Sequence, residues 1–80
     1  MPDKDPYGDW AASQAYKQRI KDEKRELDAR LVRLNEYIAK PEFTKVDLLE
    51  QDMMKRQRGY MEAYSHMLQE RIDLHEGESK

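Results

Sequence analysis

Lys40-Pro41 divides the chain into two long segments that carry helical patterning and few helix breakers. The residue before a proline is pushed out of the helical region, so no single helix runs through this point. On the N-terminal side, residues 13–39 hold no proline or glycine and are dominated by Glu, Lys, Arg, Leu and Ala, all good helix formers. Ile20, Leu27, Leu31, Leu34 and Ile38 recur at the spacing that lines one face of an α-helix. The stripe breaks once, where Glu23 and Lys24 stand in place of an apolar residue. A charged pair facing inwards there is either satisfied locally or turned towards something bound.

The C-terminal segment opens on a start signal. Thr44 is the expected cap, Asp47 follows three residues on as a short variant of the capping box, and Phe43 is placed to staple onto Leu48. Val46, Met53, Tyr60, Met67 and Leu74 form a seven-residue repeat flanked by Leu49 and Tyr64, expected to face the first helix, with fraying after His75 at Gly77. Only a few residues join the segments, which predicts an antiparallel αα-hairpin. A turn near residue 42 pairs Ile38 with Val46, Leu31 with Met53 and Ile20 with Tyr64, and sets Glu23 and Lys24 against Tyr60 and Met61. The expected fold is all-α: an N-terminal arm over residues 1–12, where two prolines and a glycine show no period, a hairpin over 13–75, and a disordered tail over 76–80.

Two helices do not bury everything apolar. Met54, Met61 and Leu68 make a second seven-residue line about 100° from the first, so the apolar face is wider than one partner helix needs. An 80-residue chain has a marginal core, and the absence of cysteine removes disulfide staples. A homo-oligomer of hairpins is the economical answer. On this reading Met61→Glu breaks the assembly. Gly59, in mid-helix, costs roughly 1 kcal/mol against alanine and implies close approach by another chain or a ligand.

Several function classes are disfavoured. Fifteen basic and seventeen acidic residues, mixed along the chain, give no cationic block to grip polymeric nucleic acid. No apolar run is long enough to span a bilayer, which predicts a cytosolic protein with no membrane partner. His66 and His75 lie on different helix faces and are expected to be solvated; no metal, cofactor or catalytic set is visible, and Ser65 lacks an evident base. Aromatic and cationic residues do gather along the first helix, at Tyr16, Lys17, Arg19, Lys21, Lys24, Arg25 and Arg30. Tyrosine offers a face for a base, and arginine or lysine the charge for a phosphate. The plainer reading is a solvated face with a Glu26–Arg30 pair worth ~0.2–0.5 kcal/mol.

In order along the chain stand Q-R-I-x-x-E-K-x-E-L-D-x-R-L from Gln18, Phe43, L-L-x-x-D-M-M from Leu48, and M-x-x-Y-S-x-M-L-x-E-R-I from Met61. This set, over about residues 14–74, resembles the phage anti-CBASS cyclic-oligonucleotide sponges, whose hairpin domain is similar to that of anti-Thoeris sponges. The resemblance implies a homohexamer in the host cytoplasm that captures cyclic dinucleotides and cyclic trinucleotides without cleaving them. It implies an aromatic that stacks on bases, matched by Tyr16 with Trp10 or Tyr7 as alternatives, and a basic residue after E-L-D that meets phosphate, matched by Arg30. Arg71 of E-R-I is the candidate for a second pocket holding trinucleotides, the alternative being an ion pair with Glu70 or Asp73. The ligand-binding candidates are thus Tyr16, Arg30, Lys24, Arg19, Trp10 and Arg71. The competing reading is a helical-hairpin adaptor that binds protein partners only.

Overall fold

The computed structural model describes the backbone of residues 6–78 and the side chains of residues 14–77. Helix α1 spans Pro6–Ala39, a 3-10 turn spans Pro41–Lys45, and helix α2 spans Leu48–Glu78. The two helices pack against each other as an antiparallel hairpin, the expected all-helical architecture. Helix α1 begins at Pro6, inside the stretch expected to be an arm, and residues 1–5 of that stretch lie outside the described residues. Proline suits the first helical position, where the missing N–H has no acceptor to lose. The fraying expected at Gly77 is likewise replaced by helix through Glu78.

Lys40 ends α1 as proline geometry demands, with φ −75° and ψ 146°. The turn that follows is held by Phe43 N donating to Lys40 O (3.0 Å), Val46 N to Phe43 O (3.1 Å) and Thr44 Oγ1 to Pro41 O (2.8 Å). Thr44 is therefore occupied inside the turn, and Asp47 caps α2 instead. Its Oδ2 accepts from Leu49 N at 3.1 Å and its carbonyl from Gln51 N at 2.8 Å. Gln51 Nε2 reaches back to Val46 O at 2.7 Å. The expected staple does not form: Leu48 is 79% exposed, while buried Phe43 meets Tyr37 edge to face at 5.7 Å.

The core is Ile20, Leu27, Leu68 and Ile72, with Met61 packed against it. The expected inward line of α2 is thus replaced by the other one. Met54, Met61 and Leu68 face α1, whereas Met53, Tyr60, Met67 and Leu74 are exposed at 54, 71, 51 and 63%. Both lines repeat every seven residues, so periodicity does not choose between them. The neighbours one turn on do: Leu68 is followed by Ile72 and Met61 by Ser65, while Met67 is followed by Arg71.

The register also differs from the expected pairing. Lys24 meets Ser65, Glu23 meets Tyr64 and Tyr16 meets Arg71. Ile20 packs with Leu68 and Ile72 instead of Tyr64, about one helical turn further along α2. The cause is the 3-10 turn and its extended exit at Val46, which delay the start of α2 to Leu48. The shortest extent of the hairpin is 14 Å, and among the described residues the two helices lie in a single layer.

Candidate functional site

The candidate residues distribute over three places. At the open end of the hairpin, where the start of α1 meets the end of α2, Tyr16 is held by two residues of α2 one turn apart. Arg71 Nη2 donates to the Tyr16 hydroxyl, and the guanidinium carbon sits 5.5 Å from the ring centroid. The His75 ring meets Tyr16 edge-on, at 5.6 Å and 88°. His75 is therefore half-buried against an aromatic, a correction to its expected solvated position. Arg71 makes no ion pair with Glu70 or Asp73 among the described residues; its partners are a neutral hydroxyl and a ring. The guanidinium is held at the hydroxyl end of the ring, where one nitrogen donates and the other N–H groups remain as donors.

In the middle, the charged break in the α1 stripe is satisfied locally, on two sides of the hairpin. The Tyr64 hydroxyl donates to Glu23, and that bond, with partial burial, holds the Tyr64 phenol above its usual range. Lys24 Nζ donates to Asp28 Oδ2 at 2.6 Å and to Ser65 Oγ at 3.1 Å, while Ser65 Oγ donates to Asp28 Oδ1 at 2.5 Å. This closed triangle ties both helices together. The Asp28 carboxyl lies below its ordinary value, first because Lys24 donates to it and then because Ser65 does. Ser65 does have a carboxylate beside it, but one with a lowered pKa is a weak base for a serine hydroxyl. Lys24, a ligand candidate by sequence, spends its charge inside this triangle.

Arg19 and Arg30 are different. Both are exposed, neither has a hydrogen bond or ion pair among the described residues, and the expected Glu26–Arg30 pair does not form. Eleven residues apart, they lie three turns from each other on one face of α1. Tyr16 and Arg30, fourteen residues apart, are separated by ~21 Å along the same helix. A single hairpin does not bring them together; it brings Tyr16 to Arg71. Trp10 and Tyr7 lie outside the residues whose side chains are described.

A pocket of about 140 Å³ opens at the same end, lined by Lys17, Ile20, Lys21, Ile72, His75 and Glu76 among others. Ligand pockets usually enclose ~300–1,000 Å³, so this one is too small for a dinucleotide. Lys21 there already faces Glu76 at 3.5 Å. Among the described residues no cluster could hold a metal ion, and no helix is long and apolar enough to cross a membrane.

Sequence reasoning missed the Ser65 triangle, the Tyr64–Glu23 bond and the His75 contact. A signal was present: E-K-x-E-L-D supplies Glu23, Lys24 and Asp28, and Y-S-x-M-L-x-E-R-I supplies Tyr64, Ser65 and Arg71. The two motifs face each other across the hairpin and hold its register. Comparison with curated proteins and with solved structures gives no match. The family model described as Sequestin matches residues 14–74, a span that contains the turn, the Asp28–Lys24–Ser65 triangle, the Tyr64–Glu23 bond and the Tyr16–Arg71 bond. The chain belongs to the Sequestin family.

Proposed function

We propose that this protein is a phage counter-defence protein that sequesters cyclic di- and trinucleotide second messengers without cleaving them, so that a CBASS effector is not activated. The family match carries this reading, since its name denotes sequestration. The chemistry of the hairpin supports it. Tyr16 with Arg71 sets an aromatic and a cation at one end, and Arg30 and Arg19 offer uncommitted charge along α1. A ligand that uses both Tyr16 and Arg30 must take them from two copies, because ~21 Å separates them within one. Copies related by a two-fold axis present the same pair twice, which suits a ring with two bases and two phosphates. The exposed line of Met53, Tyr60, Met67 and Leu74 supplies the apolar surface for such an assembly, which we take to be a homohexamer in the host cytoplasm.

The test is recovery. Protein is incubated with a cyclic dinucleotide, excess ligand is removed, and the protein is heat-denatured and the supernatant separated by chromatography. Intact ligand should return in full, and Arg30→Glu should lower the amount captured at least tenfold by setting a carboxylate against phosphate. Linear product would make the protein an enzyme; no capture at all would leave the adaptor reading.

A further inference from the structure

Beside the exposed line of Met53, Tyr60, Met67 and Leu74 runs a second seven-residue line on α2, formed by Arg56, Ala63 and Glu70. It lies about 60° further round the helix, on the side away from the line that meets α1, and all three of its residues are exposed. Together the two lines make a heptad seam, apolar at one position and, at the other, basic, then small, then acidic. The seam is centred on Ala63. Arg56 and Glu70 stand seven residues either side of it, and Met53 mirrors Leu74 and Tyr60 mirrors Met67 to within half a residue.

That symmetry distinguishes the two directions in which a second copy could lie. Alongside a parallel copy in register, Arg56 meets Arg56 and Glu70 meets Glu70. Alongside an antiparallel copy turned about Ala63, each Arg56 meets a Glu70, and the apolar residues still meet apolar ones. Like charges set against each other across an interface weaken it, and opposite ones fix its register. Both groups have capacity left for a partner. Arg56 gives Nε and Nη2 to one oxygen of Asp52, at 3.0 and 2.5 Å, which leaves Nη1 unused among the described residues. Glu70 accepts no hydrogen bond among the described residues, and His66 Nε2 stands 3.9 Å from it. Ala63 removes side-chain bulk where the two backbones would cross, which permits the ~8 Å approach of closely packed helices.

We infer that Arg56, Ala63 and Glu70 set the orientation and register of the contact between copies: α2 packs antiparallel on the α2 of a second copy about a two-fold axis at Ala63, with an Arg56–Glu70 pair on each side of the axis. This rests on the assembly invoked for sequestration. The apolar line alone would allow either direction, and the charged line chooses one.

The chain has no cysteine, so an introduced one reports on its own neighbours. Under air oxidation Ala63→Cys should link to itself as a disulfide dimer, because residues at the axis meet their own copies. Met53→Cys alone should stay unlinked and should form a dimer only when mixed with Leu74→Cys, since thiols whose Cα atoms are more than about 7 Å apart are not bridged. Arg56→Glu and Glu70→Arg should each raise the concentration needed for half-assembly at least about tenfold in sedimentation at low salt, where charge contacts are least screened. Refolded together, the two charge variants should assemble as the wild type does, because each then supplies the charge that the other lacks. An unlinked Ala63→Cys, a self-linked Met53→Cys, or a mixture of the charge variants that stays apart would overturn the inference while leaving assembly and ligand capture intact. Wild-type protein that sediments as a monomer would overturn the assembly with it.

Discussion

Asp28 is the residue on which the two helices are tied. It accepts from Lys24 at 2.6 Å and from Ser65 at 2.5 Å, and both bonds favour its charged form. Its carboxyl is therefore depressed in the folded chain relative to the unfolded one, near 3.8. The sign follows: the stabilisation is fully present above about pH 4 and is lost as the pH falls through the lower folded value. Asp28→Asn should cost about 1 kcal/mol at neutral pH, a figure discounted for the open side of the triangle. Its melting temperature should also fall less steeply than that of the wild type as acid is added. Melts followed by circular dichroism between about pH 2 and 7 check both; parallel curves would remove Asp28 from this role. Tyr16, Arg71 and Lys24 were all legible as polar residues of interest, but the sequence does not say which cation meets which partner. That depends on register, and a slip of one turn moves Lys24 from Met61 to Ser65.

Helix α2 shows why an element can be read correctly and still be turned the wrong way. Its helical period, the break at Lys40-Pro41 and the hairpin follow from local chemistry, which is short-range and encoded residue by residue. Which of two apolar lines faces inward is set by packing against α1 and by the length of the connection. The 3-10 turn at Pro41–Lys45 takes Thr44 into its own hydrogen bond and leaves the cap to Asp47. Gly59 belongs to this scale too. It points away from α1, and nothing lies within 4 Å of where a Cβ would stand. Within the hairpin the glycine has no packing reason, so Gly59→Ala should stabilise the helix by roughly 1 kcal/mol and raise the melting temperature by about 4–8 °C. A lower melting temperature would mean that another copy approaches the backbone there.

The described residues form a two-helix hairpin whose second apolar line, Met53, Tyr60, Met67 and Leu74, is exposed. Met67, 51% exposed, and Tyr60, 71% exposed, lie on that line, and Met61 lies beneath it against α1. The site of the decisive substitution therefore moves. Met61→Glu places a carboxylate against the core of the hairpin itself and should unfold it, whereas Met67→Glu should leave the hairpin helical and separate the copies, at a cost of several kcal/mol in the assembled state. Sedimentation with circular dichroism distinguishes these outcomes; a Met67→Glu protein that stays assembled would place the contact elsewhere. Assembly matters because the pocket at the open end of the hairpin is smaller than a cyclic dinucleotide, and Tyr16 and Arg30 of one chain stand too far apart to share a ligand. Capture by an assembly is thus the central claim, and native mass spectrometry of the protein mixed with a cyclic dinucleotide tests it most directly. The account predicts a homo-oligomer carrying ligand of unchanged mass; a monomeric hairpin without ligand, or bound ligand heavier by one water, would contradict it.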